Sequence, residues 1–98
     1  MKHFLLDKTV NQQFQFTEDG NFWVVRLSAG KSSLLVSVNI NNTQIVSAIR
    51  AVSETPILFN SFLGRYGNVV FFCGDDTVPE ASKFNDSHMF YYVSPGEI

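Results

Sequence analysis

From Val10 to Thr17 the chain alternates with a period of two. Val10, Gln12, Phe14 and Phe16 fall on one side, and Asn11, Gln13, Gln15 and Thr17 on the other. A helix turns every 3.6 residues and would scatter this pattern around its surface, so the run reads as a half-buried antiparallel strand. Glu18-Asp19-Gly20-Asn21 follows, and Asp-Gly tolerates the positive φ angles of a tight hairpin turn. The chain then returns through Phe22-Trp23-Val24-Val25-Arg26-Leu27-Ser28, rich in aromatic and β-branched residues. A hairpin this early commits the chain to antiparallel sheet.

The rest of the sequence continues in short runs. Ala29-Gly30-Lys31-Ser32-Ser33 is turn chemistry, and Leu34, Val36, Val38 and Ile40 then oppose Leu35, Ser37 and Asn39 before Asn41-Asn42-Thr43 turns the chain again. Residues 44–52 admit two readings. Their β-branched content favours a strand, while Ile45, Ala48, Ile49 and Val52 have the spacing of a helical turn. Residues 53–67 look irregular, yet Ile57, Leu58, Phe59, Phe62 and Leu63 are too apolar for a free loop and are expected to pack across the open end of a barrel. Asn68–Cys73 and His88–Ser94 read as strands, separated by a polar loop containing Pro79. The expected fold is all-β: a small antiparallel β-barrel or sandwich of six to seven short strands, in a single domain over residues 1–98.

Composition narrows the function. Ten Phe, three Tyr and one Trp can fill a compact core even in 98 residues. The net charge of −2, with seven Lys and Arg scattered along the chain, argues against a nucleic-acid partner, which needs a basic face. No stretch approaches the ~20 apolar residues of a membrane-spanning helix. The apolar start Phe4-Leu5-Leu6 breaks at Asp7, unlike a signal peptide. The lone Cys73 cannot form an internal disulfide and reads as a small core residue in a soluble protein made in a reducing compartment.

Four groupings resemble chemistry and fall short of it. Gly30-Lys31-Ser32 has the end of a phosphate-binding loop, but Val25 stands where its first glycine belongs, and a strand follows instead of a helix. Asp75, Asp76 and Glu80 lack the periodicity of a calcium loop. His3 and His88 have no close ligand partner, and Cys73 follows four apolar residues, a poor setting for a thiolate paired with His88. The strand aromatics carry no interleaved Lys or Arg, as a base-stacking surface would. The expectation is therefore no catalytic residue, no cofactor and no metal.

One anomaly remains. In Asn68–Cys73 and in His88–Ser94 both faces are apolar, whereas an antiparallel strand in a small domain usually shows water one polar face. Part of this surface is expected to be covered by another protein, and Val70, Phe72, Phe90 and Tyr92 are the candidate interface residues.

Order and spacing along most of the chain also resemble those of a known family. The resemblance runs through Phe4-Leu5-Leu6, Phe14-Gln15-Phe16 with Asp19-Gly20, and the strand Phe22–Leu27. It continues through Leu63-Gly64 with Tyr66-Gly67, Asp75-Asp76, Pro79 and Tyr91-Tyr92-Val93. It departs in Leu34–Ile40, which lacks the family's tryptophan. These residues are similar to the cyanophage-type baseplate plug proteins of contractile phage tails. The resemblance implies a non-enzymatic virion component made in the host cytoplasm. It also implies contacts with baseplate hub and tail tube proteins and self-association about the tail axis. The alternatives are a small adaptor or peptide-binding barrel that pairs through an edge strand and, further off, a single-stranded nucleic-acid binder.

Overall fold

The structure, a computed structural model, describes residues 2–30, 33–58, 66–74, 76 and 78–95. Among them are seven strands: β1 Lys2–Phe4, β2 Gln12–Glu18, β3 Asn21–Gly30, β4 Ser33–Ile40, β5 Thr43–Arg50, β6 Asn68–Phe72 and β7 Met89–Val93. All pairings between them are antiparallel. They form two sheets, a four-stranded meander β2-β3-β4-β5 and a three-stranded sheet β1-β7-β6. The two stay separate and pack face to face, so the fold is a sandwich.

The meander is built by its turns. Asp19 and Gly20 have φ of 50° and 79°, and Asn41 and Asn42 have 54° and 67°. Two successive positive φ angles make the hairpin turn whose twist matches that of the strands, and Asp, Asn and Gly enter that region most cheaply. Asn41 also ties the two ends together: its side-chain oxygen accepts the Phe22 N–H at 2.9 Å, and its amide donates to Asn21 Oδ1 at 2.9 Å.

Register then decides which side chains share a face. Phe14, Val25, Val38 and Val46 make one row across the meander, and Phe16, Trp23, Ile40 and Thr43 make the next. These rows meet the inner face of the other sheet through rings. Phe4 stacks on Phe16 at 4.6 Å between centroids, Phe14 meets Phe90 edge-on at 5.3 Å, and Trp23 meets Tyr92 edge-on at 5.5 Å. Offset or perpendicular pairs of this kind each add ~0.5–1.5 kcal/mol beyond the area they bury.

Residues 44–50 resolve as strand within β5, with Ala51 and Val52 beyond its end, and the helical spacing has a physical cause. Between Ile40↔Thr43 and Val36↔Ile49 the partner strand advances four residues while β5 advances six, so β5 carries two bulges. Each bulge inserts an unpaired residue, and the side chains that reach the core become Ile45, Val46 and Ile49, with Thr43 and Ala48 exposed. With the neighbours Ile45 and Val46 both on the core and Ile49 next, the strict alternation of a strand is broken and the spacing that remains is one a helix would also give. Ala48, at φ 53°, takes the left-handed conformation that one bulge requires and donates its N–H to Ser37 Oγ at 2.9 Å.

The segment expected to close a barrel end does something else as far as it is described. Glu54 N–H donates to the Phe71 carbonyl at 2.7 Å and Ile57 N–H to the Val69 carbonyl at 3.0 Å, so residues 54–58 run along the outer edge of β6. Asn68 fixes the end of this run, accepting the Leu58 N–H at 2.8 Å and donating to the Leu58 carbonyl at 2.7 Å. Ile57 and Leu58 are buried in the core, whereas Phe59, Phe62 and Leu63 lie outside the described residues.

Candidate protein interface

The three-stranded sheet carries the four candidate interface residues, and its register sorts them. Val69 pairs with Tyr92 and Phe71 with Phe90, while Val70 pairs with Tyr91 and Phe72 with Met89. Directly opposed residues share a face. Phe90 and Tyr92 therefore point inward with Val69 and Phe71, where both are 1% exposed and contact Phe14, Phe16 and Trp23. Val70 and Phe72 point outward. Val70 is buried at 4% exposure, and Phe72 is half-buried. The four do not form one patch: two belong to the core and two to the outer face.

That outer face has members that sequence reasoning missed. β1 pairs with the other side of β7, placing His3 opposite Tyr91. His3 lies 5.2 Å from Tyr91, and Tyr91 meets Phe72 edge-on at 5.3 Å. A row of rings thus crosses all three strands, with Met89 beside it and the Tyr91 hydroxyl 3.5 Å from Met89 Sδ. Leu5, immediately after β1, is 77% exposed. The missing signal was pairing: a three-residue strand matched to the far end of the chain leaves no local pattern to read.

The loop between β6 and β7 gathers the groups weighed for chemistry. His88 is fully buried, and its Nδ1 accepts the Glu80 N–H at 2.9 Å. The ring proton therefore sits on Nε2, which donates to Asp76 Oδ2 at 2.7 Å. Lys83 Nζ donates to the same carboxylate at 3.0 Å. The His88 hydrogen bond, followed by Lys83, holds the Asp76 carboxyl below the usual carboxylate range, and Asp76 in turn raises the Lys83 ammonium. Both nitrogens of His88 are engaged, leaving neither to activate a thiol. Burial pushes the Cys73 thiol up, against a smaller lowering by its hydrogen bond with Ser53, so the sulfur is held as a thiol.

Of the carboxylates considered for a cation, Asp76 is turned to His88 and Lys83, Glu80 lies 3.9 Å from Lys83, and Asp75 lies outside the described residues. Gly30 and Ser33 form the closing pair of the β3–β4 hairpin, whereas Lys31 and Ser32 lie outside the described residues. β4 runs directly on from Ser33, so no helix opens where a phosphate-binding loop would need one.

This geometry describes a small sandwich with a ring-lined outer face and a polar loop locked by a buried histidine. No curated protein matches the chain closely. The family model described as cyanophage baseplate Pam3 plug gp18 matches residues 1–95 of the 98. The chain belongs to that family of cyanophage baseplate plug proteins, structural components of the phage tail baseplate.

Proposed function

We propose that this protein is a non-catalytic piece of the tail baseplate that docks through the outer face of its three-stranded sheet. Its partners in this reading are the hub and tail tube proteins, with copies associating about the tail axis. It works without cofactor, metal, membrane or nucleic acid, and is made in the host cytoplasm before joining the virion. The observation that carries the reading is the row His3–Tyr91–Phe72 with Met89 and the protruding Leu5. A lone small domain would place polar side chains there, and aromatic and Met side chains are the types enriched where proteins meet. Val70 lies behind Phe72 on this face, and Phe90 and Tyr92 stiffen the sheet from within. The doubly bonded His88 and the thiol form of Cys73 fit a structural role better than a catalytic one.

Co-expression with the hub and tube proteins of the same phage, followed by co-purification and sedimentation, tests this. The wild type is expected to co-purify and to sediment with its partners. Phe72→Asp removes a docking side chain worth ~1.5–3 kcal/mol, or about a tenfold to hundredfold loss of affinity, while leaving a folded domain. A folded Phe72→Asp protein that assembles like the wild type would refute docking through this face.

A further inference from the structure

The opposite surface, the solvent face of the meander, is of another kind. Register places Gln13, Arg26 and Ser37 in one row across it, Gln15, Val24, Asn39 and Gln44 in the next, and Ser28, Leu35 and Arg50 in a third. None of these is a carboxylate, although the chain carries nine Asp and Glu against seven Lys and Arg. Charge is also sorted by residue type. Lys2 meets Glu18, Lys8 meets Asp86 and Lys83 meets Asp76, whereas neither Arg26 nor Arg50 forms an ion pair among the described residues. Arg26 is exposed, and its contact with Gln13 Oε1, at 3.4 Å, is at the limit of a hydrogen bond.

The face is also hollowed. Gln13, Arg26, Ser37, Asn39, Gln44 and Ser47, with Val24 among them, line an open depression of about 230 Å³. That is below the ~300–1,000 Å³ of small-molecule pockets and suits one side chain from a neighbour. It is lined by donors. Ser37 Oγ accepts the Ala48 N–H across the β5 bulge, so its own proton is left to be donated. Arg26, directly opposite Ser37 on β3, adds the guanidinium fork that matches a carboxylate, and the Asn39 and Gln44 amides supply further N–H groups.

We infer that this depression is a second docking seat, which takes a carboxylate side chain from an exposed acidic segment of a partner protein. It stands apart from the apolar face and does not depend on where in the baseplate the chain sits. A nucleic-acid backbone fits less well, since two arginines on a chain of net charge −2 make a poor counter-ion track.

The test is an NMR titration of the isolated, isotope-labelled protein at low salt with hexaglutamate, hexalysine and hexathymidylate. Hexaglutamate is expected to shift the amide signals of Arg26, Ser37 and Gln44, and hexalysine to leave them in place. Arg26→Gln, exposed and so compatible with folding, is expected to weaken hexaglutamate about tenfold, and Arg26→Lys by less. No shift at these positions, or equal affinity in Arg26→Gln, overturns the inference. Hexathymidylate shifting the same signals as strongly as hexaglutamate overturns it too, in favour of a phosphate-reading face.

Discussion

Phe71 and Phe72 are neighbours with the same side chain, and the structure assigns them opposite surroundings. Phe71 is 0% exposed, parallel to Phe84 at 6.0 Å and edge-on to Phe90 at 5.0 Å. Truncating such a ring leaves a cavity and costs ~3–5 kcal/mol, a large part of the ~5–15 kcal/mol that holds a typical domain together. Phe72 is half-buried, and among the described residues its one ring contact is with Tyr91. Half of a ~1.5–3 kcal/mol burial term plus a half-exposed edge-on pair at the low end of its range, ~0.5 kcal/mol, gives about 1–2 kcal/mol for Phe72→Ala. Urea titration of Phe71→Ala and Phe72→Ala, with unchanged slope, reads the difference directly. In thermal melts Phe71→Ala is expected to fall by more than about 12 °C and Phe72→Ala by well under that. Equal losses, or a larger loss at Phe72, would refute the register of β6 on β7 and with it the assignment of the outer face.

Two further outcomes follow from close geometry and from charge. Gly67 has φ 88°, and a Cβ there would come within 2.7 Å of the Val93 carbonyl oxygen and closer still to the Tyr92 hydroxyl. Gly67→Ala is expected to cost about 2–4 kcal/mol, from left-handed strain and overpacking, and less when Tyr92→Phe has removed the hydroxyl; a double-mutant cycle by urea unfolding checks this. Asp76 is held below the ordinary carboxylate pKa of ~3.9, so below neutrality the unfolded chain takes up this proton first. Its contribution is present above that ordinary value and fades as pH falls through the lower folded one. The melting-temperature gap between wild type and Asp76→Asn is expected to be widest near neutral pH and to close in acid; a gap that grows in acid contradicts the assignment.

What could be read in the sequence was local. Asp19-Gly20 and Asn41-Asn42 announce their turns because few residues tolerate two positive φ angles in succession. The Leu34–Ile40 alternation survives as the buried face of β4, with Leu34, Val36, Val38 and Ile40 in the core. β5 was ambiguous because two bulges give a strand the spacing of a helix. β1 was missed because three residues make no pattern. In the last two strands both faces are apolar, so alternation could show that one side was in excess without showing which. Phe90 and Tyr92 are inward only because Phe14, Phe16 and Trp23 approach from the other sheet, a contact made across most of the chain.

A sandwich this small can meet a partner through its strand edges or through its faces, and the edges are largely spoiled. The outer edge of β6 is already hydrogen-bonded by Glu54 and Ile57. β5 is bent by two bulges, and β1 is three residues long. Covered, kinked and short edges are the means by which β proteins avoid adding strands from other chains. β2 remains the regular edge, and its solvent positions Gln13, Gln15 and Thr17 are polar. Backbone pairing, the mode an edge-binding adaptor would need, is thus poorly served. The faces are not: one is ring-lined, and the other is polar and bears Arg26 and Arg50 with no carboxylate among its paired rows. Contact through side chains on a face fixes orientation and identity together, because the partner must match a pattern rather than a generic row of N–H and C=O groups. On the docking reading proposed above, that selectivity accounts for the apolar rings the chain keeps on its outside despite the aggregation they invite.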